Sequence, residues 1–244
     1  MKKLIRSLLW ARQIIFYIYL YILLAIFAII HTMMGLLKFP YSIKTRSAQL
    51  NSYLVSLGIR WILWIRCKIE GKEHINAKAS IYVVKHQSEW ETIYLQSIIT
   101  RACFVSKKEI LDIPLLGSGL RALEYIPIDR TAGIKALKDV INAGKNRLKR
   151  NISIVIFPEG TRVAPQENPK FHKSAMSLAK STNAHVIPIA HNSGSIWPAN
   201  TKKNLILPGT ITMIIGEPLL NTGDINDLTE RSFIWIKNKM QEIE

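Results

Sequence analysis

The chain has 244 residues, of which 48% are apolar, enough to bury a core and too apolar for intrinsic disorder. Its 33 basic and 17 acidic residues give a formal net charge of +16, which asks for a polyanionic partner, either nucleic acid or an anionic membrane surface. Two cysteines, Cys67 and Cys103, exclude a disulfide-stapled scaffold and a four-cysteine zinc site, and their apolar neighbours mark them as buried free thiols in a reducing compartment.

The charge is unevenly placed. Lys2, Lys3, Arg6, Arg12, Lys38, Lys44, Arg46, Arg60, Arg66 and Lys68 all precede the first acidic residue, Glu70. Within this block, Gln13 to Leu37 carries no charged side chain. About 20 apolar residues suffice to cross the hydrocarbon core, so the run from Ile14 to Ile30 can insert, and the partner is a membrane rather than nucleic acid. The run is longer than a secretory signal core, and no small-x-small cleavage site follows it. Tyr53 to Cys67 is a second apolar stretch, in which Tyr53, Trp61 and Trp64 alternate with Arg60 and Arg66, a composition suited to the membrane interface. Both flanks of the first run are basic, so the positive-inside rule sets no orientation. We expect membrane-anchoring helices over residues 1–70, arranged as a monotopic or shallowly inserted hairpin, and a second domain over residues 71–244.

Beyond about residue 76 the pattern changes. Short runs rich in Ile and Val recur at Ile81–Val84, Ala102–Val105, Tyr125–Ile128, Ile152–Phe157, His185–Ala190 and Thr210–Ile215. Most are apolar on both faces, as strands covered on both sides are. Thr131 is placed to cap a helix whose stripe is Ile134, Leu137, Val140, Ile141 and Leu148, and a final helix is expected from about Asp227 to Met240. Alternating strands and helices predict an α/β fold, a mostly parallel sheet flanked by helices.

Ligands of such sheets bind beyond the carboxyl ends of the strands. Three polar segments fall there: Lys85 to Glu91, Ile128-Asp129-Arg130, and Phe157 to Arg162. His86 and Glu91 would lie about 140° apart inside one straight helix, so they meet only if His86 sits in the turn before it. Ser88-x-x-Glu91 reads as a capping box, which explains Glu91 without chemistry. The functional reading makes His86 a general base for a hydroxyl, with Glu91 holding its ring. Gly160 lets backbone approach a ligand, and Arg162 and Arg130 are suited to a phosphate; a solvated surface turn is the alternative for each. Lys107 and Lys108 either add positive potential or form a solvated pair. No nucleophile elbow, Walker loop or His-Glu-x-x-His is present. Gly117-Ser118-Gly119-Leu120-Arg121-Ala122 matches a dinucleotide fingerprint, but Pro114 and two leucines rather than a strand precede it.

His86-x4-Glu91, Ile128-Asp129-Arg130, Phe157-Pro158-Glu159-Gly160-Thr161-Arg162 and Val186-Ile187-Pro188-Ile189 occur in the order and spacing of the blocks of the lysophosphatidic acid acyltransferases, which residues 76 to 218 resemble. Lys107-Lys108-Glu109, Pro114 to Gly117 and His191 to Gly194 followed by Trp197-Pro198 resemble the bacterial members. The resemblance implies transfer of a fatty acyl chain from acyl-CoA or acyl carrier protein to the sn-2 hydroxyl of 1-acyl-sn-glycerol 3-phosphate, giving phosphatidic acid in phospholipid biosynthesis. It implies that His86 deprotonates that hydroxyl, that Glu91 orients His86, and that Glu159, Gly160, Thr161, Arg162, Arg130 and Lys107 hold the acceptor. No metal, cofactor or acyl-enzyme is implied. The expected partners are anionic membrane lipids and the two substrates, at the cytoplasmic face of the inner membrane. Glu91 stands where the family has Asp, Lys85 where Asn is common, and Ser174 where Gly is frequent. These departures leave the reaction class intact and admit other acceptors, such as lyso-ornithine lipid, or an inactive membrane-tethered scaffold.

Overall fold

The computed structural model describes residues 2–75, 78–201 and 203–244. Two helices lead, α1 (Lys2–Leu36) and α2 (Tyr41–Trp61), and Pro40 separates them by closing off helical geometry for its predecessor. The strands are β1 (Ile65–Glu70), β2 (Ile81–Val84), β3 (Ala102–Lys107), β4 (Ile126–Ile128), β5 (Ser153–Ile156), β6 (Val186–His191) and β7 (Gly209–Ile215). They form one seven-stranded sheet in the order β1-β7-β6-β2-β5-β3-β4. Every pairing is parallel except β6 with β7, where Ala190 faces Ile214.

All the expected strands are present, and β1 is an addition. Ile65, Cys67 and Ile69 turn inward while Arg66, Lys68 and Glu70 turn outward, so the second apolar stretch is divided between a helix and an edge strand. The helices between strands are α3 (Trp90–Ile98), α4 (Lys108–Leu111), α5 (Leu116–Ala122), α6 (Ile134–Lys149), α7 (Ser174–Thr182), α8 (Ser193–Ile196) and the final α9 (Ile225–Ile243). Thr131 does not cap α6: it lies in a 3₁₀ turn whose first backbone N–H groups are met by the Asp129 side chain, and α6 starts after Gly133, which has φ +51°. Asp129 thus caps that turn through the N–H of Thr131, and α6 itself begins at Gly133 without a side-chain cap.

The buried strands divide the interior into two layers. On one face, Phe16, Leu20, Val55, Trp90, Leu95 and Trp197 pack over Tyr82, Val155 and Ile187. On the other, Val140, Met176, Leu178, Leu228 and Ile236 pack over Ile81, Ile154 and Val186. Helix α1 is therefore part of the core. It runs about 52 Å across 35 residues. It is long and apolar enough to cross a membrane by length and composition, yet its inner face is sealed onto the domain while Ile14, Ile18, Ile22, Ile26 and Ile29 stay exposed.

Candidate active site

His86 follows β2 directly and sits in the turn before α3, the one place from which it can reach Glu91. Its Nδ1 lies 2.8 Å from Glu91 Oε1. The same oxygen accepts from the backbone N–H of Gln87 (2.8 Å) and Ser88 (2.9 Å). Glu91 Oε2 accepts from the hydroxyls of Ser88 (2.7 Å) and Ser193 (3.1 Å), and Ser88 Oγ in turn accepts from Trp90 N. The capping box and the His–Glu pair are thus one structure: the carboxylate that closes the helix start also grips the imidazole. Burial alone would raise the pKa of Glu91; the neighbouring His191 and His86 charges and the hydrogen bonds from His86 and Ser88 outweigh it and hold the carboxyl at about 2.

A permanent carboxylate at Nδ1 fixes the tautomer. Nδ1 carries the proton and Nε2 keeps its lone pair. The ring stacks on Phe157, centroids 4.1 Å apart, and 17% of its side chain remains exposed. His191, fully buried, braces the turn from below by donating from Nε2 to Lys85 O (2.7 Å), and burial holds its pKa below the usual range.

A cavity of about 950 Å³ opens beside His86. Its polar end is lined by His86, Lys107, Arg130, Gly160, Thr161 and Arg162, and its apolar end by Leu20, Leu24, Phe27, Val55, Leu120 and Leu123, drawn from α1, α2 and α5. Gly160 has φ +73°, and a side chain there would sit 3.3 Å from His172 and 3.9 Å from the Arg130 guanidinium, so glycine keeps the cradle open. Arg162 Nη1 donates to Glu89 Oε1 (3.1 Å), and Tyr17 Oη of α1 lies 3.3 Å from Glu89 Oε2 and 2.8 Å from Thr201 Oγ1. The arginine is held by one edge and presents the rest of its fork to the cavity.

Glu159 is placed differently from its neighbours in the motif. Its carboxylate does not line the cavity; it is buried 3.8 Å from Lys85 Nζ, with no hydrogen-bond partner on either oxygen among the described residues. Burial is the main cause that lifts its pKa to about 7. Lys85 also donates to Glu167 O, so its ammonium is spent inside the protein instead of against the imidazole. Sequence reasoning passed over Ser193, Glu89, Phe157 as a stacking partner, and His172 with Lys173 at the cradle. Among the described residues no group of three or more His, Cys, Asp or Glu is placed to hold a metal ion.

A parallel-sheet domain that sets a His–carboxylate pair against a basic cradle, with an apolar channel behind, is equipped to activate a hydroxyl and seat an acyl chain beside it. A family model described as Acyltransferase matches residues 66–192. A 1-acyl-sn-glycerol-3-phosphate acyltransferase of Pseudomonas aeruginosa is 35% identical over 203 residues, covering 78% of each chain. A protein of the same description from Limnanthes douglasii is 29% identical over 79% of this chain and 67% of its own. The crystal structure of the 1-acyl-sn-glycerophosphate acyltransferase PlsC from Thermotoga maritima superposes with TM-score 0.71 over 96% of this chain and 97% of that one, at 21% identity, which establishes the shared fold. The chain belongs to the acyltransferase family.

Proposed function

We propose that this enzyme transfers a fatty acyl chain from an acyl thioester, carried by CoA or acyl carrier protein, to the sn-2 hydroxyl of 1-acyl-sn-glycerol 3-phosphate, forming phosphatidic acid. The observation that carries the reading is the 2.8 Å His86–Glu91 contact, whose imidazole lines the same cavity as Arg130, Gly160, Thr161 and Arg162. Relatives spanning most of this chain bear the name of that activity.

The chemistry follows from the tautomer. Nε2 of His86 takes the proton of the acceptor hydroxyl as its oxygen attacks the thioester carbonyl. Glu91 stabilises the imidazolium. The tetrahedral intermediate collapses, the C–S bond breaks, and the imidazolium returns its proton to the thiolate. Arg162 and Arg130 hold the phosphate by their forked donors, with Lys107 adding potential and Gly160 and Thr161 supplying the close wall. Glu159 shapes the turn from beneath. The acyl chain lies in the apolar end of the cavity. In this reading the enzyme works on an anionic membrane with its sheet domain at the cytoplasmic face of the inner membrane; the exposed Ile-rich face of α1 and the basic N-terminal block support it.

His86→Ala tests the assignment. Removing a general base costs about 10²–10⁴ in rate, so phosphatidic acid formation from lysophosphatidic acid and acyl-CoA should fall by that factor. Undiminished turnover would overturn the assigned base.

A further inference from the structure

The loop that ends at Leu116, a residue lining the cavity, is built unlike the other connections. In Ile113-Pro114-Leu115-Leu116, the N–H of Leu116 donates to Pro114 O across 2.7 Å, and Leu115 between them has φ +65° and ψ −57°. This is a γ-turn of the rare, strained hand, in a residue with no structural excuse for positive φ. The turn leaves its apolar side chains outside: Ile113 is 46% and Leu115 41% exposed. Ile110, 38% exposed on α4 just before this turn, also lines the cavity. Ile134 opens α6 at 75% exposure, between Gly133 and Leu137, both of which line the same cavity.

The surround is basic. Lys107, Lys108, Arg121, Arg130, Lys135 and Lys138 stand against Glu109, Asp112 and Asp139, and Asp112 is neutralised by Arg121 at 2.9 Å. The patch also continues the outer face of α1. Thr32 Oγ1 donates to Leu115 O (3.2 Å), beside the exposed Ile29, Met33 and Leu36, and α5 is drawn against α1 because a side chain at Gly119 would meet Ala28 and His31 within 3.4 Å.

We infer that Ile110, Ile113, Leu115 and Ile134 form a second bilayer contact that rings the cavity mouth and seats it in the headgroup region of an anionic membrane, so that a lysolipid enters sideways from its leaflet. Apolar side chains held outward by a strained turn, rimmed by lysines and continuous with an apolar helix face, have the composition of an interfacial surface. A soluble protein–protein contact would not require continuity with α1. The inference rests on the membrane reading of α1 given above.

The test uses the full chain with Cys67→Ala, the buried Cys103 left in place, and one new cysteine carrying an environment-sensitive fluorophore at Ile113, Ile134 or Leu220. Leu220 matches Ile134 in exposure at 75% but follows Leu219, which bridges to the first residue of β6, at the end of the parallel strands opposite to the one that carries His86. On vesicles of phosphatidylglycerol and phosphatidylcholine, the labels at 113 and 134 should brighten and shift to the blue, and the label at 220 should not change. Co-sedimentation with all labels unchanged would overturn the second contact while leaving the α1 anchor standing; failure to co-sediment would overturn both. In parallel, Ile113→Asp/Ile134→Asp should raise KM for vesicle-borne lysophosphatidic acid about tenfold, equivalent to about 1.4 kcal/mol, with kcat unchanged on a short-chain, water-dispersed acceptor. Equal loss on both acceptors would assign the patch to folding or chemistry and overturn the proposal.

Discussion

Glu91 carries one methylene more than the aspartate that the sequence resemblance leads one to expect, and the extra reach is used. From inside α3 the carboxylate returns past Ser88 to the N–H of Gln87 and to the imidazole of His86, with Ser193 closing the far side. Glu91→Gln keeps the size but turns an amide NH₂ toward donors that then have no acceptor. Turnover should fall about 10²-fold or more, and thermal stability should drop because buried donors lose their partner. Glu91→Asp keeps the charge and should lose less of both; the two variants rank the charge against the reach, and equal turnover in wild type and Glu91→Gln would remove the carboxylate from the mechanism. Glu159 presents the opposite electrostatic case. Its pKa rises from 4.5 to about 7, so the folded state binds a proton that the unfolded state has released. The stability this contributes is complete below pH 4.5 and is lost as pH rises through 7. Glu159→Gln should flatten the decline of melting temperature between those values, measured by fluorescence in detergent across a pH series; an unchanged slope would place the titration elsewhere.

At the scale of elements, Arg12 shows how α1 becomes part of the catalytic body. Its guanidinium is buried and donates to Leu63 O and Ile206 O, each at 2.7 Å, and it lies 5.1 Å from the Trp64 ring centroid. One side chain thus ties α1 to the end of α2 and to the segment entering β7. Charged hydrogen bonds of this kind contribute about 1.5–3 kcal/mol each. Arg12→Met should lower unfolding free energy by about 3 kcal/mol and, by loosening the α1 wall of the channel, raise KM for the acyl donor. Calorimetry and donor kinetics read the two effects separately. This contact marks the boundary of what the chain reveals before folding. The buried strands were legible because they are apolar on both faces, and the His86–Glu91 pairing was legible because both lie within one turn-helix segment. Arg12 read only as one more cation for the membrane, since its acceptors are carbonyls far along the chain. Ser193 stood in a block the resemblance marked, but its bond to Glu91, 102 residues away, was not legible; Glu89 was hidden because its partners Arg162 and Tyr17 are distant in the chain, and β1 because its alternating charges follow an apolar helix without a turn residue between them.

At the scale of the whole molecule, the folded arrangement reassigns the basic N-terminal block. Arg12 is consumed inside the protein, and Lys68 pairs with Glu70 at 2.8 Å. Lys3, Arg6, Lys38, Arg46, Arg60 and Arg66 remain exposed, interspersed with Leu4, Ile5, Leu37, Phe39, Trp61 and Trp64. Each cation held near an anionic leaflet contributes on the order of 1 kcal/mol, and the field that acts on it decays within a Debye length. The apolar face of α1 feels no such screening. On the membrane reading proposed above, two terms of different salt dependence would hold the enzyme to the bilayer, and they can be separated. Partition onto phosphatidylglycerol vesicles should weaken steeply as salt rises from about 0.05 M to about 0.5 M, where the Debye length shrinks to a few ångströms. Partition onto pure phosphatidylcholine should be weaker at the start and nearly flat over the same range. At the highest salt the two should converge on the apolar contribution alone. If both vesicles bound the enzyme equally at low salt, the exposed cations would contribute nothing to docking, and the net charge of the chain would need another partner.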